Sequence, residues 1–160
     1  MNQFRMASAL LFAFLPMLLT GCAARAGTLP VAHVTIKGHE FALEVARTED
    51  QRETGLMYRD TLAADHGMIF IFDRPDTYAF WMHNTRIPLD IIFLAADGKV
   101  VDIQTRTAYD ETSRPPKAPA LTVIELPAGT AHNLKLAIGD TITLPAKELK
   151  PSTRPSDNTN

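Results

Sequence analysis

The sequence predicts a mainly β fold, a small β-sandwich or open barrel with one or two short helices. Three observations carry that reading. Short apolar runs recur along the chain, separated by turn residues and not by long helical repeats. Two of these runs alternate with period two around a glycine turn, which is a hairpin signature. Only one segment carries the paired signals that start a helix.

Size and charge set the frame. A chain of 160 residues fits one domain plus a terminal segment. Its hydrophobic fraction of 46% supplies one core. The net charge is −2 and no long basic stripe appears, so nucleic acid is not an expected partner.

The first segment reads as an address. Arg5 precedes the apolar run 6–19, which Pro16 interrupts and which is short for a membrane span. Leu19-Thr20-Gly21-Cys22 follows. This order resembles the lipobox of bacterial lipoproteins, in which the cysteine is lipidated and the chain is cut before it. The resemblance implies a signal peptide over 1–21, a lipid on Cys22 and a tether over 22–30. An ordinary secretory peptide with an incidental cysteine is the alternative. Cys22 is the sole cysteine, so no intramolecular disulfide is available. Membrane attachment through the lipid, a cell-envelope location and a domain facing the periplasm follow as expectations. Ala23 behind the cysteine favours the outer membrane over the inner one.

The domain itself is expected over 31–146. Val34 and Ile36, then Phe41, Leu43 and Val45, alternate on either side of Gly38-His39 and predict a hairpin. Thr48 with Gln51 three residues on forms a capping box, and Glu49 and Asp50 favour the positive end of a helix over 48–56. The apolar run 67–72 predicts a strand buried on both faces. Residues 73–77 have turn chemistry, and 78–82 and 87–94 read as further strands. Asp97-Gly98 predicts a tight turn into a strand over 100–106. Residues 107–120 hold Pro115, Pro116 and Pro119 and predict an irregular loop. A strand over 121–126, a helical turn after Ala128 and a closing strand over 141–144 complete roughly eight strands. Residues 147–160 read as a disordered tail.

Several pieces stand in a fixed order: Gly55-Leu56-Met57, Gly67-Met68 with Phe70 and Phe72, Phe80-Trp81-Met82 with Asn84-Thr85, Leu89-Asp90-Ile91-Ile92-Phe93, Glu125 and Gly129. In that order the chain resembles the bacterial and archaeal family called domain of unknown function 192. The resemblance covers nearly the whole domain. It implies a small, frequently exported β-rich domain and brings no established activity. One departure is His83, which stands where the family usually has lysine.

The candidate site is the stretch 78–94 with Glu125. Asp90 shares its face of an apolar strand with Ile92 and Leu94, and Glu125 sits between Ile124 and Leu126. A carboxylate there must be paired or hydrogen-bonded. Either the two line one pocket for ligand binding or acid–base work, or each meets an arginine (Arg52, Arg59 or Arg86) or caps loop amides. Trp81, His83, Asn84 and Arg86 mark a polar corner at a strand end. Trp81 there can stack on a saccharide or another planar face, or can simply fill the core. Met57, Met68 and Met82 fit core packing better than a Cu(I) site. Zinc would need His83, His132, Asp90 and Glu125 to converge without any short ligand spacing.

No metal and no cofactor is therefore expected. Catalytic residues stay unassigned, since no nucleophile motif is present and the one cysteine is committed to lipid. The favoured reading is a non-enzymatic, lipid-anchored envelope domain that binds a small or saccharide-like ligand near the 81–90 corner. A small envelope hydrolase using Asp90 and Glu125 with His83 is one alternative. A structural or partner-binding module is the other.

Overall fold

The computed structural model describes residues 28–145. The predicted signal peptide, Cys22, most of the tether and the tail lie outside that range. Among the described residues no helix is long and apolar enough to cross a membrane.

The fold is mainly β. Strands β1 (Val31–Ile36) and β2 (His39–Ala46) form the expected hairpin, with Val34 opposite Phe41. Its two-residue turn needs positive φ at both positions, and Lys37 (φ 50°) and Gly38 (φ 84°) provide it. Helix α1 (Glu49–Thr54) follows. The Thr48 side chain accepts from the Gln51 amide, and the Gln51 side chain accepts from the Thr48 amide, so the capping box closes.

After α1 the chain crosses over into β3 (His66–Asp76), which lies parallel to β2. Strands β4 (Leu89–Leu94), β5 (Val100–Arg106) and β6 (Ala120–Pro127) and a short helix α2 (Thr130–Asn133) follow. The order across the sheet is β1-β2-β3-β6-β4-β5. This is one six-stranded mixed sheet, not closed into a barrel, and β2–β3 is its parallel pair.

Two of the eight expected strands shrink to single bridges. Within 78–82 only Phe80 pairs, with Arg114. That partner runs into Pro115 and Pro116, which cannot donate to a longer ladder. Within 141–144 only Thr141 pairs, with Lys99.

Register sorts the side chains onto two faces. Val45, Ile69, Ile124 and Ile92 stand side by side on one face. Ala131, Leu136 and Ile142, from α2 and the segment behind it, pack over that face. On the other face Ala46, Phe70, Val123 and Phe93 form the matching row. Leu56 and Leu62 of the crossover, with Phe80, Met82 and Ile87, cover it. Gly67 shows how closely β3 and β6 approach. A Cβ there would stand 2.2 Å from the Glu125 carbonyl oxygen.

Candidate functional site

The second face carries a cavity of about 440 Å³. Its walls are α1 on one side and 78–85 on the other. Five aromatic rings line it: Phe70, Phe72, Tyr78, Phe80 and Trp81. The rings are locked against each other. Phe72 and Tyr78 stack at 3.7 Å, and Phe80 stands edge-to-face on Phe70 (5.3 Å) and on Phe93 (5.6 Å). Gly55 ends α1 at φ 47° and lets the backbone pass the Phe70 ring, which a Cβ would meet at 3.4 Å.

Glu125 lies in this cavity beside Thr85. It points there because it pairs with Met68 and Ile91, both of the second face. The residue is 5% exposed, and among the described residues its carboxyl makes no hydrogen bond. Burial pushes the carboxyl up to about 8, although the Arg59 charge pulls the other way. Arg59 is itself held by Glu44, at 2.5 and 2.8 Å from the two carboxylate oxygens. That pairing raises the arginine and lowers Glu44. Glu125 is therefore mainly a neutral acid near pH 7, facing open space.

Asp90 is on the opposite face. It pairs with Leu126, whereas Glu125 pairs with Ile91 next door, so the two carboxyls point away from each other through the sheet. Asp90 is 1% exposed and fully occupied. One oxygen accepts from the Thr105 hydroxyl at 2.6 Å, the other from the Ala131 amide at 2.8 Å. It anchors the first turn of α2, which has no capping side chain of its own. Asp90 and Glu125 thus do not share a pocket, and the hydrolase built on that pair loses its geometry. Glycosidase-type chemistry needs two carboxyls across one cleft.

The corner residues divide. Trp81 lines the cavity mouth and is half exposed, with its ring stacked on His83 at 4.8 Å. His83 Nδ1 lies 3.0 Å from Glu111. Asn84 (φ 51°) and Arg86 sit outside the cavity. Asn84 donates to the Tyr58 hydroxyl at 2.9 Å, and Arg86 pairs with Asp60 at 2.7 Å. Tyr58 (φ 65°) and Tyr109 (φ 58°) brace the same corner through hydrogen bonds to Asn84 and Thr85. Met68 and Met82 are core residues, and Met57 lines the cavity. No three His, Cys, Asp or Glu residues cluster as a metal site among the described residues.

Sequence reasoning placed Trp81 and the stretch 78–94 at the site but missed Phe70 and Phe72 as its wall and the role of α1. It also missed Arg106, which is 1% exposed. Arg106 donates to Asp110 at 3.0 Å and to the Phe80 and Thr112 carbonyls, tying 107–114 to the cavity wall. Hydrogen bonds from Thr112, with help from Arg106, hold the Asp110 carboxyl down to about 2.

The fold and the site define a small mixed-sheet domain with an aromatic cavity over one face and a buried acid in it. A family model, DUF192, described as "Uncharacterized ACR", matches residues 32–144. The chain belongs to that family. It is also similar to two crystal structures. One is a protein of unknown function from Novosphingobium aromaticivorans, at 42% identity, covering 72% of this chain and 84% of that one, with a TM-score of 0.66. The other is described as a "putative transcription regulator" from Sinorhizobium meliloti, at 38% identity, covering 71% and 91%, with a TM-score of 0.65. No curated protein matches the chain.

Proposed function

We propose that this chain is a lipid-anchored cell-envelope domain that captures a small ligand in the aromatic cavity. One observation carries the binding reading. A carboxyl that is 5% exposed and makes no hydrogen bond among the described residues faces the cavity. A ligand donor can meet this carboxyl without displacing a partner from the chain. The rigid aromatic walls supply apolar contact at small entropic cost, as ligand sites commonly do. A saccharide face stacked on Trp81 fits the mouth. The site is thus the cavity, with Trp81 at its rim and Glu125 inside, and not the Asn84–Arg86 corner.

The envelope address rests on the Leu19-Thr20-Gly21-Cys22 pattern. A lipid there holds the domain at a membrane surface facing the periplasm, with the outer membrane favoured by Ala23.

The single tryptophan makes the binding test local. Mono- and disaccharides, amino acids and small ammonium compounds are titrated against Trp81 fluorescence and against melting temperature. A binder is expected to shift both, and Leu56→Phe, which puts a bulkier ring in the cavity lining and adds no tryptophan, is expected to abolish the shift. A full panel with no response, or a response that survives Leu56→Phe in a folded protein, rules the cavity out as the site.

A further inference from the structure

We propose that the ligand of the aromatic cavity is an organic cation, with an ammonium group seated among the rings and against the Glu125 carboxylate. The inference rests on the small-ligand reading of the cavity and names the chemical class. Three features point to it. First, charge: Glu49, Glu53 and Asp73 line the cavity against Arg52 and Arg74, and Glu125 adds a fourth negative charge once ionised. Second, both arginines are already engaged. Arg52 donates to the Arg47 and Ile71 carbonyls and lies over the Phe72 ring, and Arg74 sits 3.8 Å from Asp76. An anionic ligand would meet acid with no free counter-charge. Third, aromatic faces attract cations, and ring-lined pockets hold quaternary ammonium groups by that attraction.

Glu125 completes the pocket. Its carboxyl is nine-tenths buried, makes no hydrogen bond among the described residues and opens into the cavity. A cation would give it the partner that the chain withholds. Its pairing neighbours on the adjoining strands carry no charge. Met68 and Ile91 flank it on β3 and β4, Arg59 acts from the crossover but is held by Glu44, and Glu49, Arg52 and Glu53 of α1 with Asp73 and Arg74 of β3 line the same space. Cation binding therefore releases the Glu125 proton.

The test compares choline with its neutral carbon isostere, 3,3-dimethyl-1-butanol, by calorimetry on the intact domain. Neither probe titrates its ammonium or carbon head, so any pH dependence belongs to the protein. Choline is expected to bind and the isostere to bind at least tenfold more weakly. Choline affinity is expected to rise roughly tenfold from pH 7 to pH 9, following the ionised fraction of Glu125. Glu125→Gln should weaken choline and flatten that slope. Glu53→Gln with Asp73→Asn, both on the exposed rim, should weaken it a few-fold and keep the slope. Equal affinity for the two probes overturns the cation but leaves a small-ligand cavity standing. Absence of choline binding also overturns the cation, and the saccharide titration then decides the cavity by itself.

Discussion

Glu125 and Asp90 look alike in the sequence, each a carboxylate inside an apolar strand, and the structure gives them opposite fates. Asp90 is a structural clasp with both oxygens used. Glu125 has none used among the described residues, and its acidity is set mainly by burial, against the pull of Arg59. The sign of the pH effect follows. The folded state holds the Glu125 proton up to about pH 8, and the unfolded chain releases it near 4.5. Between those values the folded state binds more protons, so stability is greatest at the acid end and falls as pH rises. The slope is at most about 1.4 kcal/mol per pH unit. Glu125→Gln is expected to melt higher than wild type at pH 8 and to lose that lead towards pH 5. Parallel melting curves at both pH values would contradict the burial of an ionisable group. Asp90→Asn is expected to lower the melting temperature more than Asp97→Asn, because Asp97 is exposed and accepts only the Lys99 amide. Alternation within one strand made Asp90's neighbours Ile92 and Leu94 readable. It says nothing about register between β4 and β6, which is what sets the two acids apart.

Local signals were readable where the chain interacts with itself nearby. Thr48 and Gln51 sit three residues apart, and the helix starts where they put it. The turns at Gly38 and Asp97-Gly98 likewise follow from short-range chemistry. Segment 78–82 was misread because its apolar residues suit a strand, while its partner 107–119 is too proline-rich to pair. Those side chains became a cavity wall instead. The element that fixes this wall is the end of β5, where Arg106 gathers Asp110 and Thr112 of the following loop and the distant Phe80 carbonyl. Arg106→Ala is expected to lower the midpoint of urea unfolding more than Arg114→Ala does, since it removes a buried side chain that serves the Phe80 and Thr112 carbonyls, whereas Arg114 is half exposed. A midpoint within error of wild type would show the arginine to be idle. Gly67→Ala is expected to destabilise by about 3 kcal/mol or more, because its Cβ would collide with the β6 backbone. Recovery of wild-type stability in that variant would mean that β3 and β6 can part without cost.

At the scale of the molecule, the class was legible and the sheet order was not. Apolar runs at short spacing specify strands, but β3 and β6 meet across 120–127 and 66–76, and no local pattern records that pairing. The convergence of Phe70, Phe72, Tyr78 and Glu125 depends on it. The proposed lipid address belongs to this scale too. Cys22→Ala is expected to move the protein from the membrane fraction to the soluble one, and an unchanged membrane fraction would refute the lipobox.

The parallel pairing of β2 and β3 has a consequence of its own. Parallel neighbours cannot be joined by a tight turn, so the chain must leave the sheet and return. The excursion, residues 47–65, carries α1, Gly55, Leu56 and Met57, and it supplies seven of the seventeen residues that line the cavity. It makes few of the ladder hydrogen bonds that hold the strands. A change in this one insert therefore reshapes the cavity without re-pairing a strand, a replaceable jaw closing on a fixed palate.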